Sequence, residues 1–338
     1  MLYIYQFPDW TNFRFDSKSV LNALGKARFC EGELAGIYDI CGSENFENSL
    51  FVEDIVANFS IDSHSLEKDS VQEQVQLKSK GNEAHVKNYL GAIANCSNAL
   101  TQERLQGWQQ GFSRTRNACL RDTENTVTDE ALGIRFSGPG PERLQNELDH
   151  FLNWFENSPM DGMLKAAIAH FWFLTLRPFR EGNGRLARMI TAMQLCRGRE
   201  SAHLLYALNA QISENREEYL RLLNKAQCGN GDITEWILWF LEQIQCAVLA
   251  SKSLLQAEQR KTQFQARHSG IPTGEREQAL LNAALSGKIP DKFTSTDVAT
   301  FFGTSHDTAL REIQSLIAKG LLRASAKGGR SQRYSVVE

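Results

Sequence analysis

Residues 176–188 read Leu-Arg-Pro-Phe-Arg-Glu-Gly-Asn-Gly-Arg-Leu-Ala-Arg, and this stretch decides how the rest of the chain is interpreted. One helical pattern ends near Thr175 and the next begins at Arg185, so residues 178–184 are predicted to form a loop that enters a helix N-terminus. Gly182-Asn183-Gly184 lets backbone N–H groups converge. Converging amides at a helix N-terminus bind phosphate, so the stretch predicts a phosphate site.

Charged side chains around the loop strengthen this prediction. Arg185 and Arg188 lie on neighbouring positions of one helical face, and guanidinium groups suit phosphate oxygens. Glu181 offers an oxygen ligand to a magnesium ion that bridges phosphates. Gly-Asn-Gly alone is common turn chemistry, so the specificity comes from the loop, the carboxylate, the two arginines and the helix entry together.

The composition of the whole chain excludes several classes of protein. The 338 residues suffice for about two domains, and 42% hydrophobic and 23% charged residues with a net charge of −3 exclude a disordered or fibrous protein. The seven cysteines are scattered and form no C-x-x-C pair, which argues against a zinc or redox site and for a reducing compartment. No signal peptide or membrane-spanning run is recognised, so a cytoplasmic protein without membrane contact is expected.

Periodicity and turn residues divide the chain into four regions. A helical N-terminal domain is predicted for residues 1–100, a mainly helical core for residues 101–251, a helical tail and linker for residues 252–274, and a small separate domain for residues 275–338. Within the core, residues 133–137 alternate between apolar and polar side chains and predict a short β-hairpin flap.

The first predicted helix follows an N-cap at Asp16. Apolar residues recur behind this cap at the three-to-four spacing of a buried helical face. These residues are Val20, Leu21, Leu24, Ala27 and Phe29. All five are therefore expected in the core.

The last region predicts a winged helix-turn-helix domain. Two helical patterns are joined by a turn at Gly303, and an extended pair follows with a turn at residues 327–330. Such a domain would place the start of its second helix at base edges and its basic turn on a DNA backbone. The candidate DNA-binding residues are His306, Thr308, Arg311, Lys327 and Arg330. Winged helices also bind proteins, so both partners stay open.

The stretch at residues 176–188 resembles the signature H-P-F-x-[D/E]-G-N-G-R-x-x-R of the Fic (Fic/Doc) family. Every defined position matches except the first. Residues 3–36 look like the small domain that precedes many bacterial Fic domains. The resemblance implies a mainly α fold, with a Fic-type helical core and hairpin flap, an N-terminal helical extension and a C-terminal winged helix-turn-helix domain.

The resemblance also implies an activity, the transfer of AMP from ATP to a hydroxyl side chain of a target protein. The implied phosphate-binding residues are Gly182, Asn183, Gly184, Arg185 and Arg188, with Mg²⁺ on Glu181 and Asn183 also a catalytic position. The flap would pair with the target backbone by strand addition. Its residues are Gly133, Ile134, Arg135 and Phe136. ATP, Mg²⁺ and a hydroxyl-bearing protein are thus the implied partners, and a homodimer is left open.

Arg177 stands at the catalytic position where the signature has a histidine, which takes the proton from the attacking hydroxyl. A guanidinium has no acceptor lone pair and stays protonated, so Arg177 cannot be a general base. Losing such a base costs about 10² to 10⁴ in rate. Three explanations stay open: an engineered inactivating substitution, a natural conversion to a nucleotide-binding regulator, or slow catalysis in which substrate or water carries the proton. The intact remainder of the signature favours the first.

Asp62 is the candidate for a built-in inhibitor. Many Fic proteins carry the pattern [S/T]-x-x-x-E-[G/N], whose glutamate pairs with the second signature arginine. Residues 58–63, Asn-Phe-Ser-Ile-Asp-Ser, align best with it and place Asp62 at the glutamate position. Three roles stay open for Asp62: suppressing transfer, helping to remove AMP from a modified target, or simply belonging to a capped helix junction.

Two functions are carried forward. The first is a protein adenylyltransferase scaffold that Arg177 impairs. The second is a catalytically inactive nucleotide-binding regulator that binds DNA through its winged helix. Restoring a histidine at position 177 distinguishes them, because only the enzyme would recover AMP transfer.

Overall fold

The computed structural model describes residues 2–80, 83–112, 118–325 and 332–337. The chain separates into two compact units, Met1–Ser251 and Lys252–Glu338. Helices dominate both units, as the sequence predicts. None of the helices in these residues has both the length and the apolar character needed to cross a membrane.

The first unit is a helical assembly with one small hairpin. Its helices are α1 Ser17–Cys41, α2 Glu44–Ser60, α3 Lys68–Leu77, α4 Ala84–Ala94, α5 Gln102–Gln110, α6 Leu144–Asn157, α7 Gly162–Leu176, α8 Asn183–Gly198, α9 Leu208–Glu214, α10 Arg216–Gln227 and α11 Thr234–Arg267. Helix α11 continues past Ser251, the last residue of this unit. Strands β1 Thr126–Asp129 and β2 Ile134–Ser137 pair antiparallel between α5 and α6.

The core of the first unit is built around α7. All of its residues are buried, which explains why its sequence is apolar on every side. Asp161 caps it by accepting hydrogen bonds from the N–H groups of Met163 and Leu164. α8 packs along α7 at very close range, since a Cβ on Gly162 would lie 2.7 Å from the Cα of Gly198. The two helices therefore fix the position of the loop between them.

The buried face of α1 differs from the predicted one. Val20, Leu24 and Ala27 are buried as expected, but Leu21 and Phe29 are 64% and 69% exposed. Each helical residue advances by about 100°, so Leu21 is rotated by about that angle from Val20 and faces away from the core. The prediction that all five residues share one buried face was wrong, because three-to-four spacing is compatible with two neighbouring stripes.

The second unit has its own helices, hairpin and core. Its elements after α11 are α12 Glu275–Leu285, α13 Ser295–Phe302, α14 His306–Ala318, and the antiparallel strands β3 Leu322–Ala324 and β4 Tyr334–Val336. Glu277 joins α12 to α14 by accepting hydrogen bonds from Ser315 Oγ and Lys319 Nζ, both at 2.6 Å. This order of elements is the one expected for a winged helix, an assignment that stays a prediction.

Asp54 is a buried carboxyl that ties α2 to α9. Its Oδ1 accepts the N–H of Asn209 at 2.7 Å, and its Oδ2 accepts Asn209 Nδ2 at 2.8 Å. The Tyr89 hydroxyl also donates to Oδ2. Burial raises the pKa of Asp54 to about 7, because desolvation penalises the charged carboxylate more than these donors stabilise it.

We predict that the free energy of unfolding depends on pH through Asp54. Because its pKa is higher in the folded chain than in the unfolded one, the folded state holds an extra proton between about pH 4 and pH 7. This stabilisation is complete below that window and is lost as the pH rises through 7. Thermal or urea denaturation should show the wild type gaining about 2 kcal/mol relative to Asp54→Asn between about pH 7.5 and 5.5. Identical pH profiles for the two proteins would contradict this account.

Candidate functional site

The loop between α7 and α8 is the centre of the candidate site. Arg177 ends α7 in the left-handed region, at φ 48° and ψ 58°, and Gly182 enters α8 at φ 78°. α8 begins at Asn183, two residues before the predicted start at Arg185. The Asn183 side chain closes the loop, since it accepts the N–H of Phe179 at 3.0 Å and donates to the Phe179 carbonyl at 2.7 Å.

Arg121 holds the loop from the other side. Its backbone N–H donates to the carbonyl of Pro178 at 2.9 Å, and its Nε donates to the carbonyl of Arg177 at 2.8 Å. Its guanidinium also donates to the carbonyls of Thr123 and Pro139. One buried side chain thus joins the loop to the segments on both sides of the hairpin. No sequence pattern marks Arg121, because its main partners are backbone groups far away in the chain.

Asp62 lies against the first turn of α8. Its Oδ2 accepts Arg188 Nη2 at 2.8 Å and lies 3.7 Å from Arg185 Nε. A Cβ on Gly184 would lie 2.9 Å from Asp62 Oδ1, so glycine at position 184 leaves the space that the carboxylate fills. The structure therefore places a negative group at the helix N-terminus, where the backbone N–H groups and the helix dipole favour an anion.

Arg188 is fully oriented by the end of α2 and the turn that follows. Its Nε donates to Asn58 Oδ1 at 2.6 Å, and its Nη2 donates to the Asn58 carbonyl at 2.7 Å as well as to Asp62. Only 1% of this residue is exposed. A phosphate that replaced Asp62 would meet a guanidinium already held in place, which reduces the entropy lost on binding.

Arg185 is a cation of this site that has an N–H group without a hydrogen bond. Within the described part of the chain its buried Nε has no hydrogen-bond partner. Its guanidinium lies over the rings of Phe59 and Phe112, with centroid distances of 5.1 and 5.0 Å. Burial lowers the pKa of Arg185, and the charge of Asp62 opposes this shift. An oxygen of a bound phosphate is the kind of group that would satisfy this Nε–H.

A cleft of about 360 Å³ opens beside these residues. The loop, the first turns of α8, the turn after α2, the hairpin and α10 all line it. Its cationic side chains are Arg177, Arg185, Arg188 and Arg216, and its carboxylates are Asp62, Asp129 and Glu181. Glu181 is exposed at this cleft. The excess of guanidinium groups suits a polyphosphate.

Sequence analysis did not predict the side of the cleft that α10 forms. Arg216, Tyr219, Asn224 and Gln227 all line the cleft, and Arg216 Nε donates to the carbonyl of Ile61 at 2.7 Å. These polar residues recur at helical spacing along α10, next to its buried apolar side. This spacing is the sequence feature that could have identified them, because polar side chains on the inward face of a helix often line a binding site.

Two histidines are candidates to replace the general base that is missing at position 177. Of the seven in the chain, all of them described, only His64 lines the cleft. Its Nδ1 lies 2.9 Å from the carbonyl oxygen of Asp62. His170 is fully buried between Thr191 Oγ1 at 2.9 Å and the Tyr219 hydroxyl at 3.0 Å, and burial lowers its pKa well below the usual range. His170 is therefore a core residue.

Arg177 is held beside the loop as a cation. Its Nε donates to Asn125 Oδ1 at 2.5 Å, and Asn125 Nδ2 in turn donates to the carbonyl of Arg180 at 3.0 Å. Burial lowers the pKa of Arg177 to about 10, although Asp62 counteracts the shift. This value is still far above neutral pH, so the guanidinium keeps its protons and offers no lone pair.

The hairpin predicted near residues 133–137 is present. Gly133 makes its turn at φ 64°, and Val127 pairs with Phe136 in the register. Ile134 and Phe136 face inward, 8% and 2% exposed, and both line the cleft. Arg135 points outward. The hairpin therefore forms one wall of the site, and its use in docking a target stays a proposal.

The predicted DNA-binding residues lie in the second unit. His306, Thr308 and Arg311 follow one another at the start of α14, with His306 and Arg311 exposed. His306 Nε2 lies 2.7 Å from Ser295 Oγ. Lys327 and Arg330 lie outside the described residues.

Comparison with known proteins gives two family matches within the chain. Residues 98–195 match the Fic/DOC family, and residues 3–78 match a domain of unknown function, DUF4172. A "Probable protein adenylyltransferase" of Aquifex aeolicus (strain VF5) is 33% identical over 98 residues, which cover 29% of this chain and 28% of that protein. The protein adenylyltransferase fic-1 of Caenorhabditis elegans is 29% identical over 99 residues, 28% of this chain and 18% of fic-1. These matches span less than a third of either relative.

Solved structures share the fold over a longer stretch. A Fic family protein from Desulfovibrio desulfuricans G20 aligns with a TM-score of 0.60 over 96% of this chain and 97% of its own, at 18% identity. A segment of C. elegans Fic-1 aligns with a TM-score of 0.50 over 73% of this chain and 74% of that segment, also at 18% identity. The chain therefore carries a Fic/DOC family domain at residues 98–195, preceded by a DUF4172 domain at residues 3–78.

Proposed function

We propose that the chain is a Fic-type protein adenylyltransferase scaffold that binds ATP in the cleft beside α8. One observation carries this proposal: the N-terminus of α8 already holds an anionic group, the Asp62 carboxylate, between Arg188 and Gly184. The buried Nε of Arg185, which lies 3.7 Å from Asp62 and makes no hydrogen bond to the described residues, adds a donor that a phosphate would satisfy. Relatives of the Fic segment that are named adenylyltransferases support ATP as the source of the phosphates.

The proposed ATP pose follows from these donors. Backbone N–H groups of residues 182–185 and the Arg185 guanidinium would take the α and β phosphates. Arg188 would take the γ phosphate at the position that Asp62 now fills. ATP would thus bind with its triphosphate along the first turn of α8, where positive potential is concentrated.

Magnesium fits this site only together with the nucleotide. No cluster of three or more His, Cys, Asp or Glu side chains that could hold a metal occurs within the described residues. Mg²⁺ is usually held by one or two carboxylates plus substrate phosphates, and Glu181 at the loop supplies one carboxylate. Bound in this way, the ion would neutralise phosphate charge, and Glu181 would set its place relative to α8.

Transfer requires a proton acceptor that this chain lacks at the family position. The hydroxyl oxygen of the target would attack the α phosphorus, the bond to pyrophosphate would break, and the hydroxyl proton would leave. Arg177 cannot take that proton. The hairpin would hold the target backbone by strand addition, at an outer edge of its two-stranded sheet, which has no third strand among the described residues. We therefore propose that this sequence binds ATP and transfers AMP slowly or not at all.

We predict that Arg177→His raises AMP transfer by about 10² to 10⁴, because it restores an acceptor lone pair beside the loop. Incorporation of label from [α-³²P]ATP into the protein itself or into an added extract measures the rate. Arg177→Gln is the matched control, since it also removes the charge but supplies no base, and it should stay at the level of the wild type.

Two results would contradict this prediction. Equal transfer by the histidine and glutamine variants would show that position 177 is not the proton acceptor. Binding of ATP without any transfer by Arg177→His, across a range of candidate targets, would favour the alternative function, a nucleotide-binding regulator.

We predict that Asp62→Ala increases the affinity for ATP about tenfold or more, because the Asp62 carboxylate competes with the γ phosphate for Arg188. Isothermal titration with ATP and Mg²⁺ measures the effect in the Arg177→Gln background, where no turnover interferes. Asp129→Ala is the control, because Asp129 lines the same cleft without an ion pair to Arg188. If both substitutions change the affinity equally, Asp62 acts only through the general charge of the cleft.

The two proposed roles of Asp62 are separable once position 177 is His. If Asp62 suppresses transfer, Asp62→Ala raises the initial rate of AMP incorporation. If Asp62 instead supports AMP removal, the initial rate is unchanged, and label on a purified modified target persists longer after ATP is withdrawn.

A second proposal concerns DNA, and it rests on the composition of the second unit. Residues 252–338 contain thirteen Lys and Arg against eight Asp and Glu, and α14 presents His306 and Arg311 to solvent at its start. We predict a shift of duplex DNA in a gel assay that weakens steeply as salt rises. Arg311→Ala should weaken it at least threefold. Binding that is indifferent to salt would contradict the proposal.

A further inference from the structure

The second unit contains a pocket of about 340 Å³ that the proposed function does not use. It is lined by α11, the end of α12, the segment that precedes Phe293, and the strands β3 and β4. All of its lining residues lie within Lys252–Glu338, so the pocket belongs to this unit alone. Pockets of this size hold small organic molecules.

Positive charge dominates the lining of this pocket. Its four cationic side chains are all exposed to solvent, and they share the lining with one carboxylate, Asp291. Among the described residues none of the four forms an ion pair, and only Arg323 donates a side-chain hydrogen bond, from Nε to Ser335 Oγ at 3.2 Å. A concave surface lined by charges of one sign concentrates the electrostatic potential, so the pocket favours an anion. The four cations are Arg260, Arg267, Lys292 and Arg323.

One face of α11 supplies two of these cations together with an aromatic ring. Arg260, Phe264 and Arg267 all line the pocket. At about 100° per residue, the three positions fall within an arc of about 60°, and about 10 Å of helix axis separate the two arginines. Phe264 lies between them and is 8% exposed. This face of α11 therefore places a cation on each side of an apolar ring.

Extended segments supply the other two cations. Phe293, which follows Lys292, pairs with Tyr334 through two backbone hydrogen bonds of 3.0 and 2.8 Å. Arg323 lies opposite Ser335 in the register of β3 and β4. The four cations thus come from three separate segments, and only the tertiary fold of the second unit brings them around one pocket.

An apolar surface completes the pocket. Leu285 at the end of α12 and Val336 in β4 line it together with Phe264, and Leu285 is 8% exposed. The phosphates of a DNA backbone would use the cations but would leave this apolar surface without a partner. In addition, no residue of α13 or α14 lines the pocket, so it is distinct from the α14 residues considered for DNA contact. These features favour a small amphipathic anion over DNA.

We propose that this pocket binds a small organic anion that carries at least two negative charges and an apolar group. The charged group accepts hydrogen bonds from the guanidinium groups around the pocket, whose planar donors suit phosphate and carboxylate oxygens. The apolar group packs on Phe264 and Leu285. The pocket shares no lining residue with the cleft beside α8, so this site is additional to the proposed function and does not depend on it.

Phenyl phosphate is the probe for this site, because it joins a phosphate, a dianion near pH 8, to one aromatic ring. Isothermal titration of the full chain, without nucleotide, should give a dissociation constant on the order of 100 µM. Inorganic phosphate and benzyl alcohol each supply only half of this chemistry, so each should bind at least tenfold more weakly. Raising the salt concentration from about 50 to about 500 mM should weaken the binding of phenyl phosphate at least threefold, because ions screen the exposed cations.

Two substitutions test whether the probe binds in this pocket. Arg267→Gln and Arg323→Gln each remove one cation from a different side of the pocket and keep a polar side chain. Each should weaken the binding of phenyl phosphate at least threefold, and the double variant should weaken it at least tenfold. Lys261→Gln is the matched control, because Lys261 is an exposed cation of α11 that does not line the pocket, and it should leave binding unchanged. All three side chains are exposed, so the melting temperatures should match that of the wild type.

Three results would each overturn the proposal. A wild type that does not bind phenyl phosphate up to about 5 mM would show that the pocket takes no such anion, and a gel shift of duplex DNA weakened by the double variant would then assign the cations to DNA. Equal weakening by Lys261→Gln and by the pocket variants would show attraction to the general charge of the unit. Binding that the double variant leaves unchanged would place the probe elsewhere in the chain. None of these measurements involves ATP or AMP transfer.

Discussion

The candidate site depends on the contact between the Asp62 carboxylate and Arg188 at the first turn of α8. Several features of the fold converge on it: the fully buried α7, the loop closed by Asn183, and the Asn58 side chain that orients the guanidinium. The carboxylate fills the space that Gly184 leaves open. An anionic group therefore already lies where the helix dipole and two arginines favour one, and a phosphate that binds Arg188 would have to displace it.

The positions of the cleft residues could be predicted where those residues are close together in the sequence. The loop, its two arginines, Glu181 and the hairpin all lie in contiguous stretches whose turn residues and spacing carry the information. Sequence analysis did not identify site residues whose contacts are with residues far away in the sequence. Arg121 acts on backbone carbonyls of other segments, and the α10 side chains reach the cleft only through tertiary packing. The burial of α1 was also mispredicted, since spacing alone does not say which of two adjacent stripes faces the core.

Arg177 decides whether the proposed site could transfer AMP as well as bind ATP. Its half-buried guanidinium lies beside the loop, donates a hydrogen bond to Asn125, and stays protonated at neutral pH despite a lowered pKa. The residue thus adds positive charge to a cleft that already holds the Asp62 carboxylate, and it cannot act as the base that the proposed transfer would need. Under the proposed function, nucleotide binding and transfer are separable, so an inactive regulator and an impaired enzyme predict the same affinity for ATP but different responses to a histidine at that position.

The most direct test is a crystal structure of the wild-type chain with a non-hydrolysable ATP analogue and Mg²⁺. We expect the α and β phosphates on the backbone of residues 182–185, the γ phosphate on Arg188, and the Asp62 carboxylate moved away from its present 2.8 Å contact with that guanidinium. A nucleotide bound elsewhere, or a triphosphate bound in the cleft with the contact between Asp62 and Arg188 intact, would contradict the account.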